Sequence, residues 1–336
     1  MALRLIRIRL ATLLTAGLLL LPHPGSAGER LQLPFSPSVG SRLHFTIVKT
    51  KQRMDGQRLE RNLKTTSEAE LTLEARNEEG FVYRFEITET TASAPGSSKP
   101  RLDRLLSRLA GVTDGVPLVY QADASGAPLR LVNTEEVRRA FRGMLAELQG
   151  LVRNLTQEGV VSPVERPSLE ANVKNTLGVL ATLSDAELGT VVLEEVSLLY
   201  AATGGDFSLG EKEAFEIQTR VPLVSRPIQV FGERYIKSVD EETRRAVVGI
   251  EAGYDQEQLL AAVAQVRGRL SDAEANGGQG ALESELRALG AFEVRESGLH
   301  MIDLDSGEPL ALRHERTMTI GDKRVIEVLK IRRVHR

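Results

Sequence analysis

The fold class of this chain is indicated most clearly by the stretch Phe81-Val82-Tyr83-Arg84-Phe85-Glu86-Ile87-Thr88. Bulky apolar side chains stand at every second position of the stretch, and polar side chains fill most positions between them. Because successive side chains of a β-strand point to opposite faces, this pattern predicts a strand with one buried face and one face in water.

The same alternation extends outward from this stretch. Residues 43–48 and 70–74 repeat it, and the segments 54–57 and 77–80 carry the Gly and the Asn or Asp that tight turns need for positive φ. We therefore expect residues 40–91 to form an antiparallel meander of strands. A short hairpin over residues 117–132, with its turn at Ser125-Gly126, should follow a polar loop and a short helical stretch.

The pattern then changes from a period of two to the period of a helix. Asn133 and Glu136 have the spacing of a capping box, and Ser184 and Glu187 form a second one. The helix after Asn133 has an apolar stripe of Val137, Phe141, Met144, Leu145, Leu148, Val152 and Leu155. A further helix is expected over residues 168–182.

The last third of the chain returns to strands. Alternation predicts them at residues 215–221, 228–239, 244–252, 292–304, 309–320 and 324–334. Helices are expected over 259–270 and, after a Gly-rich linker, over 282–289. Gly232 is interpreted as the mark of a β-bulge.

Together these patterns predict an α+β fold with curved antiparallel β-meanders from both ends of the chain and a central helical segment. We expect residues 28–336 to form a single composite domain, with a first β-rich half over 40–133, helices over 134–203 and a second β-rich half over 205–336. Both β-rich halves contain the pattern S-G-x-P-L-x-L, beginning at Ser125 and at Ser306. A duplicated unit and convergence on a common turn both explain this echo.

The first 27 residues have the layout of a secretory signal peptide. Three Arg residues precede a 12-residue apolar run from Leu10 to Leu21, and small residues stand at Gly25 and Ala27. Twelve residues rise about 18 Å as a helix, whereas the hydrocarbon core of a bilayer is roughly 30 Å thick. We therefore expect cleavage after Ala27, no transmembrane anchor after cleavage, and a periplasmic or secreted protein.

The composition narrows the function classes. Without the leader the chain has 40 basic and 46 acidic side chains, which argues against nucleic acid as a partner. The chain has no Cys and no Trp, so disulfides and cysteine nucleophiles are excluded. Its stability must come from packing.

The candidate chemistry is sparse. There is no G-x-S-x-G motif, and His314-Glu315 fails the H-E-x-x-H pattern because Met318 stands at the last position. His300 and His314 should lie on adjacent strands, which allows either a metal cluster or a solvated hairpin. We interpret them as the hairpin and name no catalytic, cofactor-binding or metal-ligating residue. No cofactor is therefore expected, and a non-enzymatic role is favoured over an enzymatic one.

The order of meanders, helices and tight hairpins resembles that of secreted bacterial domains of unknown function. More loosely it resembles the periplasmic lipoprotein-carrier superfamily, in which helices cover a half-open β-barrel lined by apolar side chains. The resemblance is architectural and implies a non-enzymatic periplasmic binding or carrier protein for an apolar, lipid-like ligand.

A structural or interaction protein that binds an envelope partner remains the alternative, and a hydrolase is a distant third. If the sheet encloses a cavity, we expect its lining to include Phe45, Phe81, Tyr83, Phe85, Phe141, Leu199, Phe215 and Ile217. The same residues would equally form a dry core.

Overall fold

A large antiparallel sheet organises the molecule. The computed structural model describes residues 29–94, 106–107, 110–159, 182–219, 226–271 and 292–335, with a few single positions between these ranges. The expected leader and the helices expected over 168–182 and 282–289 lie outside the described residues, apart from single positions. Eleven strands form one open sheet in the order β6-β5-β4-β3-β2-β13-β12-β11-β10-β9-β8, and β1 pairs with β7. The strands are β1 (Arg30–Gln32), β2 (Arg42–Asp55), β3 (Arg58–Asn77), β4 (Gly80–Ser93), β5 (Leu118–Ala122), β6 (Pro128–Leu131), β7 (Asp206–Ser208), β8 (Glu213–Thr219), β9 (Ile228–Asp240), β10 (Arg245–Tyr254), β11 (Phe292–Asp303), β12 (Pro309–Ile320) and β13 (Lys323–Val334).

The described helices pack mainly against one face of this sheet, which we call the inner face. They are α1 (Thr134–Gln157), α2 (Asp185–Val192), α3 (Glu194–Leu199) and α4 (Gln256–Ser271), with a short 3₁₀ turn at Gly111–Thr113. Helix α2 contacts β6, α3 contacts β12, and α4 contacts β9 and β11. The opposite, outer face carries most of the exposed side chains of the strands.

The α+β fold with meanders from both ends of the chain is confirmed. The capping box at the start of α2 is also confirmed, because the Glu187 amide donates to Ser184 Oγ at 3.3 Å and the Ser184 amide donates to Glu187 Oε2 at 2.8 Å. The single helix expected after Ser184 is instead two short helices, α2 and α3, separated at Leu193.

Two sequence interpretations are wrong in detail. Asn133 precedes α1 but makes no side-chain cap, because its Oδ1 accepts from the Val119 amide and its Nδ2 donates to the Pro117 carbonyl, each at 2.9 Å. Gly232 is not a bulge. A Cβ there would lie 1.9 Å from the Glu251 carbonyl oxygen, so the glycine allows two strands to approach, and the register shift between β9 and β10 lies at Val247/Val248.

The buried side chains form two hydrophobic clusters. The first joins strands β2 to β6, β12 and β13 to helices α1, α2 and α3 and to one residue of α4, and the second joins strands β8 to β12 to helix α4. Residues 33–36 run between the two clusters, since Leu33 is buried in the second and Phe35 packs against the first. Phe35 meets the rings of Phe81 and Tyr200 edge-on, with centroids 5.4 and 5.8 Å away.

The sequence echo corresponds to a repeated strand order. Strands β2–β6 and β8–β12 are each a five-stranded meander whose last two strands are joined by a Ser-Gly hairpin, and in the second meander α4 lies between the third and fourth strands. Both hairpins are held by an Asp side chain: Asp123 Oδ1 accepts from Ser125 and Ala127, and Asp303 Oδ1 accepts from Asp305 and Ser306. This order agrees with duplication, which stays a prediction.

Candidate functional site

A groove beside helix α1 is the candidate ligand site. It has a volume of about 820 Å³ and is partly open to solvent. That volume lies within the range of roughly 300–1,000 Å³ that is typical of small-molecule sites. Its lining residues are Thr90, Ser107, Gly111, Asp114, Val116, Ala140, Gly143, Met144, Glu147, Leu148 and Leu151.

One wall of the groove is a single face of α1. Its six lining residues, from Ala140 to Leu151, recur at spacings of three and four, which places them on one side of an α-helix. Met144 is buried, whereas Leu148 and Leu151 are only half-buried. The half-buried leucines leave apolar surface in the groove that an apolar ligand would remove from water.

Gly143 is an unusual residue for the middle of this helix. Glycine in a helix interior costs roughly 0.5–1 kcal/mol relative to alanine. No atom lies within 4 Å of the position that a Cβ would take at Gly143. A side chain would therefore fit there, and close packing does not explain the glycine. The glycine keeps this part of the helical wall open.

The opposite wall of the groove is polar. Thr90 Oγ1 donates to Asp114 Oδ1 at 2.8 Å, and Ser107 Oγ donates to the Ala92 carbonyl at 3.0 Å. Glu147 adds an exposed carboxylate from the helical side. The groove therefore combines an apolar helical wall with hydroxyl and carboxylate groups, which suits an amphipathic molecule.

A second feature is a row of charges across the inner face of four adjacent strands, which we call the ionic row. Lys51 on β2 lies opposite Glu327 on β13, which lies opposite Arg316 on β12, which lies opposite Glu296 on β11. Arg316 Nε donates to Glu296 Oε1 at 2.6 Å, and its Nη1 lies 3.7 Å from Glu327 Oε2. Lys51 Nζ and Glu327 Oε1 complete the row as an ion pair.

Further groups complete this network. Tyr254 donates to Glu296 at 2.8 Å, and His314 Nε2 lies 3.2 Å from the other oxygen of that carboxylate. Helix α3 is tied to the network because Glu194 lies 3.6 Å from Arg316 and Glu195 pairs with Lys49. The ionic row therefore anchors α3 to the sheet.

Burial and pairing set the protonation of this network in opposite ways. Burial alone would raise the pKa of Glu296, but Arg316 and His314 more than offset it and hold the pKa well below its usual range. Burial, together with the nearby His314, lowers the pKa of His300 to about 3. Glu296 is therefore ionised and His300 is neutral at neutral pH.

The interpretation of His300 and His314 as a solvated hairpin is wrong. Both lie on the buried face, at 3% and 7% exposure, because their strands turn that face toward α3 and the core. Within the described ranges, no group of three or more potential ligand side chains is arranged to hold a metal ion.

The structure brings together most of the proposed cavity-lining residues but not all of them. The members in the first cluster are Phe45, Phe81, Tyr83, Phe85, Leu199 and Phe141. Phe215 and Ile217 belong to the second cluster. They do not form one surface, and a cavity lined by these side chains stays a prediction.

Sequence reasoning missed Glu296 and Arg316. A signal for both was present, because the period of two that starts at Phe292 and Val294 continues through Glu296 to His300 on the same face. Counting back from Met318 places Arg316 and His314 on the inner face in the same way. The groove was missed because only two of its six residues on α1, Met144 and Leu148, belong to the apolar stripe of that helix.

No protein-family model matches the chain. A lipovitellin structure concerned with lipid–protein interactions resembles it with a TM-score of 0.43 and 8% identity, over 89% of this chain and 25% of lipovitellin. This chain thus spans about a quarter of that protein's length. An outer membrane channel from Pseudomonas putida F1 matches with a TM-score of 0.16 and 7% identity, over 94% of this chain and 100% of the channel. These are weak architectural resemblances, and no residue role follows from them.

None of the described helices is both long enough and apolar enough to cross a bilayer.

Proposed function

We propose that the protein is a non-enzymatic binding or carrier protein of the periplasm that holds an apolar ligand in the groove beside α1. The observation that supports this proposal is the helical wall from Ala140 to Leu151, which faces a volume of about 820 Å³. Export to the periplasm is proposed from the leader-like residues 1–27.

The chemistry of the groove favours an amphipathic ligand. An acyl chain or a ring system would lie along Met144, Leu148 and Leu151, and each square ångström of apolar surface removed from water would contribute about 25 cal/mol. Thr90, Asp114 and Glu147 would contact a polar group of the ligand, with hydrogen-bond donors on the ligand meeting the two carboxylates.

The test uses two alanines of the same helix. Ala140 lines the groove, whereas Ala146 is exposed and is not among the lining residues. We would titrate the wild-type protein, Ala140→Trp and Ala146→Trp with 1-N-phenylnaphthylamine, an uncharged apolar fluorophore. Because the natural chain has no Trp, each variant also gains one indole whose emission reports its surroundings.

The wild-type protein and Ala146→Trp should bind the fluorophore with equal affinity. Ala140→Trp should bind the fluorophore at least about tenfold more weakly, because the indole would fill part of the groove. Absence of saturable binding to the wild-type protein, or equal binding to both variants, would contradict the proposal. In that case the alternative, an envelope protein that acts through a protein partner, would be favoured.

A further inference from the structure

Four glutamates cluster on the outer face of the sheet, and we call them the acidic patch: Glu68, Glu70, Glu86 and Glu89. Glu68 lies directly opposite Glu89, and Glu70 lies directly opposite Glu86, on the neighbouring strands β3 and β4. Like charges directly opposite each other in a sheet are destabilising. Two such pairs side by side therefore carry a cost that a partner of opposite charge would relieve.

Three cations form a matching basic patch on the same face: Arg313, Lys330 and Arg332. Arg313 on β12 lies directly opposite Lys330 on β13, which is again a pair of like charges, and Arg332 is the next outward-facing residue of β13. All three side chains belong to exposed residues.

Strand β2 lies midway between the two patches. The acidic patch is centred between β3 and β4 and the basic patch between β12 and β13, so each centre lies one and a half strand spacings, ~7 Å, from β2. The patches also share a cross-strand row, because Thr46 of β2 pairs with Glu68 on one side and with Arg332 on the other. The outward residues Thr46 and Val48 of β2 are uncharged.

Local contacts satisfy only part of these charges. Glu68 accepts from Thr46, and Glu70 lies 3.7 Å from His44 and 3.9 Å from Arg42. Arg313 lies 3.3 Å from Glu315 of its own strand. Glu89, Lys330 and Arg332 are exposed, which leaves charge of each sign on the two sides of β2.

We propose that the outer face is a self-association surface for a second copy of this chain, related by a twofold axis along β2. Such a rotation exchanges the two sides of β2, so the acidic patch of each copy faces the basic patch of the other. One partner thereby neutralises both patches, as an isologous interface requires. The uncharged residues of β2 lie on the axis, where the two faces come closest.

The experiment measures association by sedimentation velocity over a range of protein concentrations at low salt. We would compare the wild-type protein with Glu86→Lys/Glu89→Lys and with Lys330→Glu/Arg332→Glu. Arg295→Glu is the control, because Arg295 is an exposed outer-face residue of β11 outside both patches. Unchanged thermal unfolding of each variant would show that these surface substitutions leave the fold intact.

The wild-type protein and Arg295→Glu should form dimers that weaken as salt is added. Each double substitution should weaken self-association by at least about 100-fold, because the attraction between the patches is lost. The first leaves two Glu and two Lys in the acidic patch, and the second leaves one Arg and two Glu in the basic patch. An equimolar mixture of the two variants should form a heterodimer, since the unchanged basic patch of the first variant then faces the unchanged acidic patch of the second.

Three results would overturn the proposal. They are a wild-type protein that stays monomeric at every concentration, reversed variants that dimerise as tightly as the wild-type protein, and a mixture of reversed variants that stays monomeric. Salt-sensitive binding of a monomeric chain to vesicles of anionic lipid would assign the basic patch to a membrane surface instead.

Discussion

Gly126 and Gly307 lie 181 positions apart in the sequence, and both hold a positive φ, of 85° and 72°, against the same residue, Phe35. A Cβ at Gly126 would lie 2.5 Å from Cζ of Phe35, and a Cβ at Gly307 would lie 2.9 Å from its Cα. The Ser36 amide also donates to the Ser306 carbonyl at 2.9 Å. The two Ser-Gly hairpins therefore dock on one N-terminal segment, which links the two β-rich halves.

This docking makes Gly307→Ala strongly destabilising. The new Cβ would lie 1.4 Å from the Pro34 carbonyl oxygen, so the hairpin or residues 33–36 must move, in addition to the strain of positive φ. We expect a loss of about 3 kcal/mol or more in the free energy of unfolding, measured in urea. The control Gly56→Ala has a φ of 55° but no atom within 4 Å, and it should cost about 1 kcal/mol. Equal losses at both sites would contradict the docking.

The ionic row should be sensitive to loss of a single partner. Glu296→Gln should lower the free energy of unfolding by about 3 kcal/mol or more, because it leaves Arg316 buried without its closest anion. Glu293 is three residues earlier on the exposed side of β11, and Glu293→Gln should change stability by less than about 0.5 kcal/mol. Similar losses in the free energy of unfolding for the two substitutions would show that the ionic row does not stabilise the fold.

The free energy of unfolding should fall below pH 6.5 because of His300. Its pKa in the folded protein, about 3, is below the ordinary value of 6.5, so between these pH values the unfolded chain binds a proton that the folded chain excludes. Stability is then lost as the pH falls, by up to about 1.4 kcal/mol per pH unit. Glu296, whose pKa is depressed, contributes stability that is fully present above pH 4.5 and is lost only below it.

The window between pH 4.5 and 6.5 therefore isolates His300 from Glu296. Urea unfolding at several pH values should show a smaller slope for His300→Leu than for the wild-type protein. His335→Gln, a change at an exposed histidine, should leave the slope unchanged. Equal slopes for all three proteins would exclude His300 as the cause.

The proposed export of this protein should depend on the apolar run of residues 10–21. Leu18→Arg combined with Leu19→Arg should abolish secretion, because each Arg in the run costs about 2.5–3.5 kcal/mol of membrane insertion. The exported wild-type protein should begin at Gly28, which intact-mass measurement would establish. A retained segment 1–27 would mean that the leader acts as an anchor.

The strands were predictable because each buries one face. Apolar residues at Phe81, Tyr83 and Phe85 must alternate with polar ones when the inner face packs on helices and the outer face meets water. Helix α4 was predictable from its own periodicity in the same way. These signals are local, so they need no knowledge of which strands become neighbours.

The ionic row and the groove depend on partners that are distant in sequence. The period of two places Glu296 on the inner face, but the group that neutralises its charge there is known only when Arg316, twenty positions later, is placed opposite it on the next strand. Asn133 fits a helix cap by local spacing, yet the backbone of β5 competes successfully for its side chain. The groove needs Ala140 and Met144 to face Thr90 and Asp114, and local sequence does not determine that pairing.

Native mass spectrometry of the protein purified from its own cell envelope tests the proposed function most directly. We predict a bound species heavier than the chain of residues 28–336 by the mass of a lipid-like molecule, which is retained by Ala146→Trp and lost from Ala140→Trp. A wild-type protein that carries no such molecule, or an adduct that is equally abundant in both variants, would contradict ligand binding in the groove beside α1.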